Sequence, residues 1–319
     1  MSFIDCVFLS AVACVELVLP EYDFSATLDG GQAFRWRAVT GGWEGVVHGR
    51  WVRLEPGSES LRVWTVPGDV PDDWHWIRHY LALDEDLAAV RHTFPDDAPL
   101  GAATAAARGL RLLRQDPWEC LASFILSSTK QIVQIQECVR LLSERFGRAI
   151  PTGVDGSGRA WTFPEIAVLA RASEEELRAC KVGFRARYLG GTARMLAAGE
   201  VSLERILQLP TSEARAELEK FPGVGRKIAD CVLLFAYGRQ DAFPVDVWVQ
   251  QALRYLYFPR ARRVSAERLR QFSENYFGVN AGYAQQYLFH YVRTVLGRLW
   301  RAEQKRPVPP RRARQSPPG

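Results

Sequence analysis

Over the first 66 residues apolar and polar positions alternate in short runs, FRWRAV, GGWEGVVHGRWVRLE and LRVWTV, rich in β-branched and aromatic residues and broken by glycine. A period of two puts every second side chain on one face, so this stretch predicts short antiparallel strands joined by turns, with one face buried. From Asp73 the period becomes helical, in DWHWIRHYLALDEDLAAVRHTF and then in an Ala-rich turn of helix near 101–113. Residues 117–142 read as two amphipathic helices interrupted at Ser127-Ser128-Thr129-Lys130-Gln131, and 153–158 as a loop. Further on, 213–221 reads as a helix, and a second begins at about Arg226, with Ile228, Cys231, Val232 and Phe235 at helical spacing. Val247–Tyr257 and the segment around 282–289 are also helical. The expected fold is α+β: an N-terminal antiparallel sheet domain with the helix that follows it (1–100), then a mainly α-helical body (101–300). Residues 301–319 form a basic, Pro/Arg-rich tail expected to be disordered and to act as a non-specific phosphate tether.

Charge changes this picture only when it is divided along the chain. The net charge is +5. Residues 1–100 hold 7 basic and 16 acidic residues, 101–300 hold 28 and 19, and 301–319 hold 6 and 1, giving −9, +9 and +5. The middle and C-terminal parts are therefore the ones expected to face phosphates. The 6 cysteines are scattered without a CxxC pair, which argues against a disulfide framework, a zinc site or an iron–sulfur cluster. The apolar stretch 7–15 reads as strands and not as a signal peptide, because Asp5 precedes it, Glu16 ends it and the first basic residue is Arg35. No run reaches the roughly 18 apolar residues of a membrane span. His75, His79 and His92 have no partners at ligand spacing and are expected at the surface.

Candidate chemistry concentrates between Leu218 and Val249. Pro222-Gly223-Val224-Gly225 joins two helices, and its glycines permit positive φ and close backbone approach. The amides of this turn and of the helix start that follows are suited to gripping a phosphate without reading sequence. Lys227 stands in the first turn of the second helix, where the helix dipole and partial desolvation both disfavour the ammonium form, as a nucleophilic amine requires. Of the 41 basic residues 36 are Arg and 5 are Lys. A Lys at this position is therefore notable, since only Lys can lose its proton and form a Schiff base. Asp246, after Pro244-Val245 and before a helix, reads as an N-cap: an ionised carboxylate fixed by backbone amides. A surface Lys and an ordinary cap would explain either residue taken alone.

FPGVGRKIADC followed by PVDVW resembles the helix-hairpin-helix DNA glycosylases with a Gly/Pro-rich loop and Asp, and within them the 8-oxoguanine DNA glycosylase family. The resemblance covers about residues 5–300. It implies a bifunctional glycosylase and lyase that removes 8-oxoguanine from duplex DNA. Lys227 would attack C1′, expel the base and carry the sugar as a Schiff base toward β-elimination, while Asp246 stabilises charge developing on the sugar. Gly31, in GGQAFRW, would accept the N7 hydrogen that 8-oxoguanine has and guanine lacks. Gln285 would bond the Watson–Crick edge of the extruded base, with Phe289 and Cys231 on its two faces. In VGFRARY, Phe184 would wedge into the base stack, assisted by Arg185 and Arg187, and Gly223, Val224 and Gly225 would meet the DNA backbone. Thr129, Lys130 and Gln134 stand where the family carries an Asn pair and an Arg that favour cytosine opposite the lesion, which puts that discrimination in doubt. The resemblance further implies no required cofactor and no metal held by side chains. A monovalent or calcium ion on backbone carbonyls near Phe221 and Val224 is the one ion expected, with a monomer acting on double-stranded DNA that contains an oxidised purine. The setting would be the bacterial cytoplasm, with the nucleoid, or a eukaryotic nucleus. Two other readings remain open: an alkylated-base glycosylase of the same fold, which would activate water with Asp246 and not need Lys227, and a hairpin module that only holds DNA.

Overall fold

In the computed structural model the alternating stretch forms strands β1 (Ile4–Leu9), β2 (Val12–Val18), β3 (Arg37–Val39), β4 (Gly42–Val47), β5 (Arg50–Pro56) and β6 (Ser60–Thr65). They make one sheet in the order β1-β2-β6-β5-β4-β3, antiparallel throughout. The structure describes residues 4–9, 12–66, 73–153, 158–261 and 263–297; the tail at 301–319 and most of the loop expected at 153–158 lie outside them.

The alternation sets the sheet's two faces. Leu61, Val63 and Thr65 of β6 point inward with Val52 and Leu54 of β5, all fully buried. On the other face Arg37, Glu44, Arg53 and Glu55 form a ladder of ion pairs at 2.7, 3.2 and 2.8 Å, partly exposed and so of small energetic weight. One helix interrupts the strands where only strands were expected: α1 (Phe24–Leu28), capped by Asp23, whose Oδ1 accepts the Ala26 amide at 2.8 Å. Five residues are too few for a helical period to register against the alternation around them.

The helical part begins with α2 (His75–Tyr80), α3 (Leu87–His92), α4 (Ala98–Ala106), α5 (Pro117–Leu126) and α6 (Ile132–Phe146). An unforeseen hairpin, β7 (Ala149–Thr152) with β8 (Gly158–Trp161), is followed by α7 (Ile166–Arg171), α8 (Glu174–Leu177), α9 (Ala186–Ala197), α10 (Leu203–Ile206), α11 (Thr211–Glu219), α12 (Arg226–Phe235), α13 (Val247–Tyr257), α14 (Ala266–Tyr276) and α15 (Ala281–Tyr291). The helix expected near 101–113 ends at Ala106. Beyond it Gly109 lies so close to Tyr22 and Asp23 that a Cβ would sit 2.5 Å from their backbone, and its carbonyl accepts the Asp23 amide at 2.7 Å. The chain then runs irregularly along the sheet domain, and Arg111, fully enclosed, donates to the carbonyls of Ala82 and Glu85 at 2.5 and 2.9 Å. Among the described residues no helix is long and apolar enough to cross a membrane.

Two large apolar cores and one small one, of Ala252, Val292 and Leu296, result among the described residues. Val15, Leu17, Trp36, Leu54, Leu61, Val63 and Ile77 pack inside the sheet domain. The larger core gathers α3, α4, α5, α6, α9, α12 and α15, and from Ile228 to Phe235 every residue of α12 is buried. The buried stretch of that helix includes one charged residue, Asp230, whose Oδ1 accepts from Arg215 Nε of α11 at 2.6 Å. Burial pushes the Asp230 carboxyl up, opposed by Arg215 and Arg226. The pair fastens the two hairpin helices together, and removing Arg215 leaves the buried Asp230 with only the more distant Arg226, at 3.7 Å. Arg215→Ala is expected to destabilise the protein by about 3 kcal/mol, measured as a shift in urea midpoint with an unchanged m-value.

Candidate active site

The hairpin turn and helix starts form where the sequence places them. Gly223 has φ +76 and lies against the Tyr188 ring, where a Cβ would come within 2.6 Å. Gly225 is the N-cap of α12, and with no side chain at the cap the first-turn amides are left without a side-chain acceptor. Val224 behaves differently from its neighbours: its side chain is buried and its amide donates to the Phe221 carbonyl at 3.1 Å. Its contribution at this surface is thus backbone shape, and Gly223 and Gly225 are the exposed parts of the turn.

Asp246 caps α13, its Oδ1 accepting the Val249 amide at 2.8 Å. Burial pushes its carboxyl above the ordinary range, while the Val249 amide, the Lys227 ammonium and the Trp248 amide pull it back. Lys227 extends from the first turn of α12, donates to Ser127 Oγ at 3.2 Å and lies 5.3 Å from the centre of the Phe124 ring. Cys231, one turn further, is buried beside it, and burial pushes that thiol up to about 12 against the pull of the ammonium. Cys231 therefore faces the site as a neutral, polarizable wall and not as a second nucleophile.

Gly31, Lys227, Cys231, Asp246, Gln285 and Phe289, read from the sequence, line one cavity together with Phe124, Phe235, Pro244 and Gln286. Gly31 has φ +84, which favours glycine, and a Cβ on it would displace the tip of the Ile132 side chain, 2.7 Å away, and touch Phe289 at 3.5 Å. Gln285 is 4% exposed and its Oε1 has no hydrogen-bond partner among the described residues. The cavity measures about 40 Å³. It holds a water or so and no purine. Phe124, Ser127, Ile132 and Gln286 were not singled out from the sequence. Ser127 sits in the polar break between α5 and α6, but Phe124 and Ile132 look like any apolar residue of an amphipathic helix.

A chain of contacts leads from this cavity along the surface. The loop that includes Ser127 is bound by Arg185, which donates to the Ser128 carbonyl and to Thr129 Oγ1 at 2.6 Å. Arg185 is 4% exposed, stacks over Phe184 at 4.3 Å and does not project outward with its neighbours. Phe184 is 48% exposed. Its ring meets Tyr188 at 6.1 Å, and Tyr188 receives Arg187 at its hydroxyl at 2.8 Å and packs on Gly223. Thr129 holds φ 59, a strained value for a β-branched residue, and Lys130 donates its amide to the Ser127 carbonyl at 3.2 Å. Gln134 is exposed, with its Oε1 accepting the Gln131 amide at 3.0 Å as part of the cap of α6. Phe184, the loop and the hairpin turn thus make one exposed rim beside the cavity.

The chain is similar to known proteins over most of its length. Residues 16–121 match the 8-oxoguanine DNA glycosylase N-terminal domain, and residues 122–277 the HhH-GPD superfamily base excision DNA repair protein. A probable N-glycosylase/DNA lyase of Methanothermobacter thermautotrophicus is 31% identical, over 86% of this chain and 94% of its own. The N-glycosylase/DNA lyase OGG1 of Arabidopsis thaliana is 32% identical over 86% of this chain and 77% of its own. Among solved structures, the Clostridium acetobutylicum 8-oxoguanine glycosylase/lyase, in complex with double-stranded DNA containing cytosine opposite 8-oxoguanine, superposes with a TM-score of 0.81 at 32% identity, covering 92% of this chain and 99% of that one.

The Arg185 tether makes a prediction independent of any reaction. Arg185→Ala removes the donor to Ser128 and Thr129, so the strained loop should open more readily. Amide hydrogen exchange within 127–131 is expected to rise by about tenfold, the worth of one or two hydrogen bonds, with exchange in α12 unchanged.

Proposed function

Because the chain belongs to the 8-oxoguanine DNA glycosylase family, we propose that it is a bifunctional DNA glycosylase and AP lyase that excises 8-oxoguanine from duplex DNA and then cleaves the strand by β-elimination. The observation that carries this reading is the convergence of Lys227 and Asp246 on one cavity with Gly31, Cys231, Gln285 and Phe289. An alkylated-base enzyme using water would have no need of the amine, and a module that only holds DNA would need neither residue.

The chemistry follows from what each group offers. The Lys227 amine, once deprotonated, forms a bond to C1′ as the glycosidic bond breaks and the base departs with the bonding pair. Positive charge growing on the sugar lies near the Asp246 carboxylate, which the Val249 amide already fixes in place, so no reorganisation is needed at the moment of reaction. The lysine–sugar adduct opens to a Schiff base. Loss of a C2′ proton then expels the 3′ phosphate. Lysine holds the sugar covalently throughout, so the glycosylase and lyase steps share one site.

Recognition is assigned to the cavity walls. Phe289 and the Cys231 thiol would sandwich the extruded base, and Gln285, with its unpartnered Oε1, would take the Watson–Crick edge. The Gly31 carbonyl would accept the N7 hydrogen. A 40 Å³ cavity admits no base until its walls part, so extrusion and opening are coupled. Phe184 would enter the stack as a flat apolar wedge. The Gly223 and Gly225 turn and the free amides of α12 would take a phosphate. A monovalent or calcium ion at the hairpin would be held by backbone oxygens near Phe221 and Val224, where the Phe221 carbonyl keeps a second lone pair. The protein is proposed to act as a monomer.

Borohydride trapping on an 8-oxoguanine duplex tests the reading, since only a Schiff base leaves a covalent adduct. Lys227→Gln should abolish trapping and excision while DNA binding stays nearly intact; excision at the normal rate would show that another group is the nucleophile. Asp246→Asn should keep the cap and lower the rate by about 10². The wild-type rate should fall as pH drops through the raised pKa of Asp246, so its acid limb should lie above the ordinary aspartate value of 3.8. A limb at or below that value would remove Asp246 from the mechanism.

The rim predicts weak reading of the opposite base. Where an Arg would offer paired donors to cytosine O2 and N3, Gln134 has its Oε1 engaged by the Gln131 amide and only its NH₂ to offer. The penalty for a wrong partner should therefore fall below the roughly 1 to 3 kcal/mol of a bidentate reader. Single-turnover rates on four duplexes differing only in that base measure it. A cytosine preference of about a thousandfold or more, beyond one such reader, would assign the reading to other residues.

A further inference from the structure

The lesion-reading role given to Gly31 requires its carbonyl oxygen to be aimed at a fixed point, yet Gly31 itself lies in a turn and glycine is the least constrained residue. The peptides on either side supply the constraint. Gln286, 2% exposed, donates from Nε2 to the Gly30 carbonyl at 3.3 Å. Gln115 donates from Nε2 to the Gln32 carbonyl at 2.6 Å. Among the described residues no hydrogen bond reaches the Gly31 carbonyl between them.

The two clamps are tied to different walls of the cavity, Gln286 as part of one and Gln115 through Phe235 of the other. Gln286 follows Gln285 on α15, so the helix that presents a side chain to the base edge also holds the Gly30 carbonyl. Gln115 donates its own amide to the Phe235 carbonyl at 2.8 Å, at the end of α12, the helix that includes Lys227 and Cys231. The Gln32 side chain, fully buried, completes the anchor by donating to Thr27 and Arg111 carbonyls at 3.0 and 2.8 Å and accepting the Leu113 amide at 2.8 Å. The turn is thus registered to both helices that line the pocket, and the carbonyl left unpaired is the one pointed to by the resemblance.

We propose that Gln286 and Gln115 are positioning residues that present the Gly31 carbonyl to the base and thereby set lesion recognition, without taking part in the chemistry on the sugar. The proposal rests on the function assigned above to Gly31 and Lys227. It separates recognition from chemistry in a way that a purely structural role cannot: an abasic site has no base to read, so cleavage there needs Lys227 but not the carbonyl.

The test uses full-length protein with Gln286→Met and, separately, Gln115→Met, each keeping side-chain length while removing the donor. Excision is measured in single turnover on an 8-oxoguanine duplex, and borohydride trapping on an abasic duplex. Each variant is expected to lose about tenfold in excision, the worth of one hydrogen bond to the reading group, with abasic trapping within twofold of wild type. A parallel fall in both activities would overturn the proposal in favour of a general structural role, and no change in either would show that the clamps position nothing. Failure of the earlier reading is distinguishable. Wild-type protein that traps on the abasic duplex but does not excise 8-oxoguanine would overturn the role of Gly31, and one that traps on neither would overturn the role of Lys227.

Discussion

The site depends on a helix buried along almost its whole length with its first turn left open. From Ile228 to Phe235 α12 is enclosed by the larger core, against α5 among others. A helix held this way cannot rotate or slide without exposing apolar surface at about 25 cal/mol per Å². Lys227 stands one residue before the enclosed part, so its backbone inherits that rigidity while its side chain emerges at the cavity. The N-cap is Gly225, which leaves the Arg226 and Lys227 amides without a side-chain acceptor as well. Rigid placement and open chemistry thus meet within three residues.

The charged groups near Lys227 are arranged so that each restrains the next. Burial raises the Asp246 carboxyl, and the same burial makes the hydrogen bond to the Val249 amide and the attraction to Lys227 stronger than either would be in water. The Cys231 thiol stays neutral for the same reason, so among the described residues lining the cavity Lys227 is the one basic side chain and Asp246 the one carboxylic acid. Asp230, one residue before Cys231, is turned to the far side of α12 and satisfied by Arg215. Its charge stabilises the hairpin without competing at the site.

Much of this was legible in the chain. The helix starts at Arg226 and Val247, the cap at Asp246, the break after Leu126 and the glycine turn follow from local propensities, and local propensities survive folding when packing agrees with them. The α+β division was legible for the same reason, since a switch from period two to period 3.6 spans many residues. What escaped notice was either short or long-range. α1 and the β7–β8 hairpin are too brief for periodicity. The inward turn of Arg185 could not be foreseen, because an Arg beside an aromatic in an exposed-looking segment carries no sign that its guanidinium ends on a loop more than fifty residues earlier. Phe124, Ile132 and Gln286 join the cavity through packing between distant helices, which no spacing rule encodes.

The small cavity and the buried Gln285 Oε1 belong together physically. Among the described residues no donor reaches that oxygen, and the space of about 40 Å³ beside it has room for a water to supply one. A flat ligand with a donor at its edge would take over that hydrogen bond as it parts the walls. The Thr129 backbone, held at a positive φ under Arg185, is a cost located at the rim. Arg185 thus holds a strained loop whose Ser127 hydroxyl accepts from Lys227, so the rim and the amine are coupled through one short segment.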